Sequence, residues 1–258
     1  IEDSGVNFQQ VFVGFNGIDS ADYDAFCSLQ SKKQLVQQYT VFRTRENLTS
    51  VQHGAFFIEK LKTRLSEKAR VMLFAHDDRI FPDPFSDESP KLLEELNSEF
   101  DVVYFPSYNY CVAGDYANVT RVAEADRIMS PSDFFWLTMK ENIATNVSGM
   151  IVPFSALLEA AEAVKLYDNG ARFEHMLCIA SSVRKIRFST QIRVLIGERP
   201  NSDGALLSRL EHRRAALHYV LAFKRNCRLK SSGEKIRFTV QLIRKLLGYG
   251  LAKLSAIV

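Results

Sequence analysis

The chain has 258 residues, 47% of them hydrophobic and 24% charged, which excludes collagen-like, low-complexity and wholly disordered classes. The net charge of +3 conceals an asymmetry: residues 209–258 hold 12 of the 33 Lys/Arg and 2 of the 30 Asp/Glu, so a tail of +10 follows a body of −7. A tail of that kind suits an anionic surface, either membrane or nucleic acid.

The elements expected along the chain alternate between strand and helix. Residues 10–15 (QVFVGF) are β-branched and aromatic and run into Asn16-Gly17, so they read as a buried strand ending in a turn. Residues 22–38 carry apolar side chains at helical spacing, and residues 39–42 (YTVF) form a second strand. Phe57, Leu61 and Leu65 recur every four residues, which predicts a helix over 56–69. Residues 71–75 (VMLFA) are uninterrupted in apolar character, as in a strand buried on both faces. A short helix over 89–97 follows, with Ser89 as cap and Pro90 at its first position. A strand is expected at 102–105, a helix at 132–140 capped by Ser-Pro-Ser, and a strand at 150–153. Helices over 155–165 and 174–182 and strands over 185–189 and 192–196 complete the series. The pattern predicts an α/β fold with a mainly parallel sheet. A polar loop at 197–204 (GERPNSDG) marks the boundary between domain 1–200 and a basic helical tail, 201–258.

The four cysteines stand far apart without a CxxC, which fits a reducing cytosol. No charged n-region followed by an apolar core opens the chain, so no signal peptide is expected, and no run of about 18 apolar residues could span a bilayer. The chain does not begin with Met and is expected to be a trimmed fragment.

The most informative segment is VMLFAHDDRIFPDPF, residues 71–85. A buried strand delivers Asp77 and Asp78 into a loop, and α/β sheets bind ligands beyond the carboxyl ends of their strands. Paired carboxylates there suit Mg²⁺ or Mn²⁺; they would serve equally well as caps of the next turn or as partners of Arg79. Further on lie Gly149-Met150-Ile151-Val152-Pro153 leading into a helix, then Gly170-Ala171-Arg172-Phe173-Glu174-His175 opening another, then Val183-Arg184-Lys185-Ile186 entering a strand.

This order of motifs resembles the family 2 glycosyltransferases, nucleotide-sugar-dependent inverting enzymes with the GT-A fold, over residues 11–196. The resemblance implies a GT-A-like, Rossmann-type sheet flanked by helices. It implies Asp78 as metal ligand for Mn²⁺ or Mg²⁺ and Asp77 beside the ribose or the metal. Glu174 is the implied general base for an acceptor hydroxyl; read on its own, it is a first-turn Glu favoured by the helix dipole. The family has Glu-Asp where this chain has Glu174-His175, so His175 stands as the alternative base. Residues 11–18 match the family's second strand, so the first strand is expected to be missing, with Asn16 standing where the family recognises the nucleotide base. Arg45, with Arg43 and Asn47, follows the next strand; these residues either approach a diphosphate or are solvated loop charges. Residues 104–116 (YFPSYNYCVAGDY) offer either an aromatic acceptor platform or core packing. The polymerase motif Gln-x-x-Arg-Trp is absent, which favours single-sugar transfer.

The tail contains two basic helical stretches, 209–230 and 234–258. In the second, Ile236, Val240, Ile243, Leu247, Leu251 and Leu254 recur at helical spacing between Lys and Arg. A helix of this composition lies in the interface of an anionic bilayer, or docks on the preceding domain, or mediates a homodimer. Nucleic acid is not expected, because no nucleic-acid-binding signature accompanies the charge.

The sequence thus reads as an inverting, metal-dependent glycosyltransferase. It would move one sugar from a nucleotide-diphosphate donor to a glycan or lipid-linked acceptor in cell-surface polysaccharide assembly. Its expected place is cytoplasmic, on the inner face of the membrane. The rival reading is a non-catalytic, membrane-associated interaction protein that retains a degenerate transferase fold.

Overall fold

The computed structural model describes residues 9–17, 21–32, 39–48, 50–73, 79–81, 94–95, 97–105, 107–111, 126–130, 133–134, 150–166, 173–190, 193–198, 209–226 and 231–255. Within these the order is β1 (Val11–Phe15), α1 (Ala21–Ser31), β2 (Tyr39–Arg43), α2 (Ser50–Leu61), β3 (Arg70–Met72), β4 (Arg79–Phe81), β5 (Val102–Tyr104), β6 (Ser107–Cys111), β7 (Arg127–Met129), β8 (Met150–Pro153), α3 (Phe154–Leu166), α4 (Phe173–Ser182), β9 (Ile186–Phe188), β10 (Arg193–Glu198), α5 (Arg209–Asn226) and α6 (Ser232–Ser255).

The alternating α/β expectation holds, but the sheet is mixed rather than mainly parallel. β1 and β2 pair in parallel, β3-β8-β5-β9-β7 form a five-stranded sheet, and β4-β10-β6 form a three-stranded one. In the five-stranded sheet β8 runs antiparallel to both neighbours, β3 and β5, while β5 and β9 are parallel and β7 closes the edge antiparallel. An apolar run such as Met150-Ile151-Val152 carries the signal for burial but none for direction. Direction is set by the connection that returns the chain to the sheet.

Helix boundaries moved for local reasons. The helix expected at 56–69 begins at Ser50 and ends at Leu61, where the Leu61 carbonyl accepts from both Arg64 N and Leu65 N (2.9 Å each). That shared acceptor tightens the last turn and redirects the chain into β3. Of the helices expected at 89–97 and 132–140, residues 94–95, 97 and 133–134 are described; 94–95 and 133–134 are helical and 97 is in a turn. Ser130 caps the second: Asp133 N donates to its Oγ at 3.1 Å, and Ser130 Oγ donates to the Asp133 carboxylate at 2.6 Å.

The core forms on the five-stranded sheet. Val102, Val103, Tyr104, Ile151, Val152, Ile186 and Phe188 are all buried, so the central strands are covered on both faces. α3 and α4 pack against each other and against this sheet, contributing Leu157, Ala160, Met176 and Leu177. A buried carboxylate, Glu95, is held there by the Ser189 hydroxyl (2.7 Å) and Arg187 Nη2 (3.5 Å). Arg187 in turn reaches Asp126 at 3.2 Å, so the charge is paired rather than stranded. The basic helices share the same core: α5 packs on α4 and α6 on α5, through Tyr219, Val220, Ala222, Phe223 and Phe238. No helix among the described residues is long and apolar enough to cross a membrane.

Candidate site at the carboxyl edge of the sheet

Hydrogen bonds fix which end of the sheet carries which helix terminus. Phe154 N and Ser155 N, opening α3, donate to Ala69 O (2.8 Å) and Glu67 O (2.9 Å), just before β3 begins. Arg184, just past α4, reaches Ser155 Oγ (3.2 Å) and Glu159 (2.6 Å). Val102 N, opening β5, donates to Lys185 O (3.1 Å). The carboxyl end of α4 therefore lies at the amino edge of β3 and β5. α4 has 10 residues, about 15 Å of helix, so its amino end lies at the opposite edge, where β3, β5 and β9 end. Glu174 is the second residue of α4 and belongs to that carboxyl edge by its backbone position. β3 ends at that edge, at Met72. Asp77, Asp78 and the Glu174 side chain lie outside the described residues.

A second feature of this kind stands at the carboxyl ends of β1 and β2. A shallow pocket of about 400 Å³ is lined by Arg43, Thr44, Arg45, Glu46, Leu48, Phe56 and Lys60. The Asn16-Gly17 turn braces two of its lining residues, Thr44 and Leu48. Gly17 has φ of 93°, and a Cβ there would collide with the Asn47 side chain, so glycine is required. The buried Thr44 hydroxyl accepts from Gly17 N (2.7 Å) and donates to Glu46 O (2.8 Å). Asn16 clamps the far side: its Oδ1 accepts from Leu48 N (2.9 Å) and its Nδ2 donates to Leu48 O (2.7 Å). The observed work of Asn16 is thus to shape this loop. Arg43 is held by two contacts, donating from Nε to Gly17 O (2.9 Å) and lying 4.1 Å from the centre of the Tyr23 ring. Arg45 and Lys60 are exposed at the rim, and Lys60 lies 5.4 Å from the Phe56 ring. Three cations against one carboxylate form a setting for an anionic group such as a phosphate.

His175 takes a structural contact. Its ring stacks on Tyr219 of α5 at 4.9 Å, which joins α4 to the basic segment. Tyr104 and Phe105, from the aromatic stretch 104–116, are buried, with Tyr104 packed edge-on against Phe134 at 5.5 Å. That end of the stretch is core. Among the described residues no cluster of three His, Cys, Asp or Glu side chains is arranged to hold a metal ion; the carboxylates expected to do so, Asp77 and Asp78, fall outside them.

Sequence reasoning missed Lys60. It lies in the helix that follows the loop carrying Arg45, and only the fold of α2 against β2 brings the two to one pocket. The usable signal was its i, i+4 relation to Phe56, which fixes a Lys above an aromatic ring on one helix face. No protein-family model matches the chain, and no curated protein matches it either.

Proposed function

We propose that the chain is an inverting glycosyltransferase that uses a nucleotide-diphosphate sugar and acts on a glycan or lipid-linked acceptor. The observation that supports this reading most is the shared carboxyl edge. Glu174, the second residue of α4, stands by its backbone position at the edge where β3 ends, and β3 is the strand that precedes Asp77 and Asp78 in sequence. The resemblance to family 2 glycosyltransferases needs those two motifs to meet, although many residues separate them in sequence. A GT-A-like arrangement is the finer form of the observed mixed α/β fold.

In this reading Glu174 accepts the proton of the acceptor hydroxyl, and the freed oxygen attacks the anomeric carbon from the face opposite the diphosphate. One displacement forms the new glycosidic bond, breaks the bond to the diphosphate oxygen and inverts the centre. Arg45 and Lys60, with the anchored Arg43, offset the diphosphate charge. Asp78, with Asp77 beside it, supplies hard oxygen ligands suited to Mn²⁺ or Mg²⁺, and a cation bound there neutralises charge on the leaving group. The basic α5–α6 segment places the enzyme on the anionic inner face of a membrane, within reach of a lipid-linked acceptor.

The test is release of nucleoside diphosphate from a panel of nucleotide sugars with Mn²⁺, comparing the parent with Asp78→Ala and Glu174→Gln. Turnover in the parent and its loss in both variants is expected. A parent that neither binds nor hydrolyses any donor, or variants that retain full turnover, would overturn the reading.

A further inference from the structure

The long helix α6 carries apolar side chains on two opposite faces, the docked one also holding the half-buried Lys245, and among the described residues only that face is covered. At about 100° per residue, Phe238, Leu242 and Ala252 fall on one side. They meet α5 and the core: Phe238 and Ala252 are buried, and Phe238 stacks on Phe223 at 6.3 Å. On the opposite side Ile236, Val240, Ile243, Leu247 and Leu251 fall within an arc of about 80°. These five are between 43% and 67% exposed. With 24 residues α6 is about 36 Å long, so the stripe is a ridge along most of a helix.

The charges around the ridge identify its occupant. Arg237 and Arg244 border it on one side and Lys235 and Lys253 on the other, all four exposed. The single acid in α6, Glu234, is spent at the amino end, where its carboxylate accepts from Ser231 N at 3.0 Å. A second copy of the chain laid against this ridge would bring cations against cations along both borders, with no acid to pair them. An anionic bilayer complements every part of the surface. Aliphatic side chains enter the acyl boundary, while Lys and Arg on both flanks reach up to lipid phosphates.

We propose that α6 is the membrane-binding element. It lies in the plane of an anionic bilayer with Ile236, Val240, Ile243, Leu247 and Leu251 inserted, while its opposite face stays docked on α5. The inference rests on the membrane part of the proposed function and is independent of the transfer chemistry. It also fixes orientation: α5 lies between the lipid and α4, so the protein body stands above the surface on a helical layer.

The experiment is co-sedimentation of the full chain with phosphatidylcholine vesicles, with and without about a third anionic lipid. The parent binds the anionic vesicles, with binding weakened by salt. Ile243→Glu combined with Leu247→Glu lowers the partition coefficient at least tenfold while thermal unfolding is unchanged, because both residues are exposed in the fold. As a second readout, Leu247→Trp gains a blue-shifted emission component on anionic vesicles. A parent that binds no vesicles overturns both this inference and the membrane part of the proposed function, and leaves the sugar-transfer test unaffected. Undiminished binding by the double Glu variant, with no shift in the Trp variant, overturns the inference alone. A parent that dimerises through the ridge, with the double variant monomeric and vesicle binding unchanged, also overturns it.

Discussion

Helices α4 and α6 both carry bulky apolar side chains, and these meet opposite fates. In α4, Met176, Leu177, Cys178, Ile179 and Ala180 are consecutive and all buried, because the helix is sandwiched by α3, the five-stranded sheet and α5. In α6 the main described partner is α5, so Phe238 and Ala252 are buried while five apolar side chains on the other side stay exposed. The difference is one of layer as well as of composition, because α6 also carries five Lys/Arg and α4 none. A helix in a middle layer satisfies its apolar surface inside the protein. A helix in the outermost layer can satisfy a second face only with something outside it.

The strongest way to sharpen this contrast is through chemistry. Glu174 stands at the amino end of the buried helix, so Glu174→Gln should lower turnover by about 10²–10⁴-fold and leave vesicle binding intact. The ridge variants of α6 should show the reverse, with turnover on a soluble acceptor preserved. Loss of both properties in either variant would break the division of labour between the two helices.

Stability draws the same line. Leu177→Ala removes a fully buried side chain and should cost about 2–5 kcal/mol, read as a shift in the urea midpoint at constant slope. Leu247→Ala removes one that is 62% exposed and should change stability by less than about 0.5 kcal/mol. Equal costs would mean that α6 is covered in the free protein.

A smaller effect tests the start of α6. Ser231 accepts from Glu234 N at 3.1 Å while the Glu234 carboxylate accepts from Ser231 N, a reciprocal cap. Ser231→Ala should cost about 1 kcal/mol, seen as earlier loss of helical ellipticity on heating. The smallest effect is on pH dependence. Burial holds His218 on α5 below the ordinary 6.5, with the nearby Arg214 adding to it; burial likewise lowers His53 on α2, against a hydrogen bond that its imidazole donates to the Phe15 backbone. Below pH 6.5 the unfolded chain therefore takes up more protons than the folded one, so stability is fully present above that pH and declines as pH falls. Both imidazoles are partly solvated and the slope is shallow. His218→Gln should flatten it further in denaturation curves between pH 5 and about 7.

Much of the local structure was legible from residue order. The β1 run and its Asn16-Gly17 turn follow from β-branched residues meeting a position of positive φ. Helices α3 and α4 follow from their period, and the cap at Ser130 from a Ser placed before Pro131. These signals are local, fixed by backbone sterics and by hydrogen bonds a few residues long, and any fold would have to respect them. The sequence also named Glu174 and Arg45 as candidates for the proposed chemistry. It could not supply Lys60, since a pocket between a strand end and a helix face exists only after α2 has packed.

What the tertiary structure alone decided is direction, layering and exposure. β8 runs against β3 and β5, and β4, β6 and β7 exist because neighbours offer them open edges; short segments such as Arg127-Ile128-Met129 have little strand signal of their own. The helical period of α6 was visible in the sequence, with its apolar residues and its charges. Which of its two apolar faces would be buried was not. That choice depends on the shape of α5, and it turned an amphipathic helix into one with a docked side and an open, cation-bordered side.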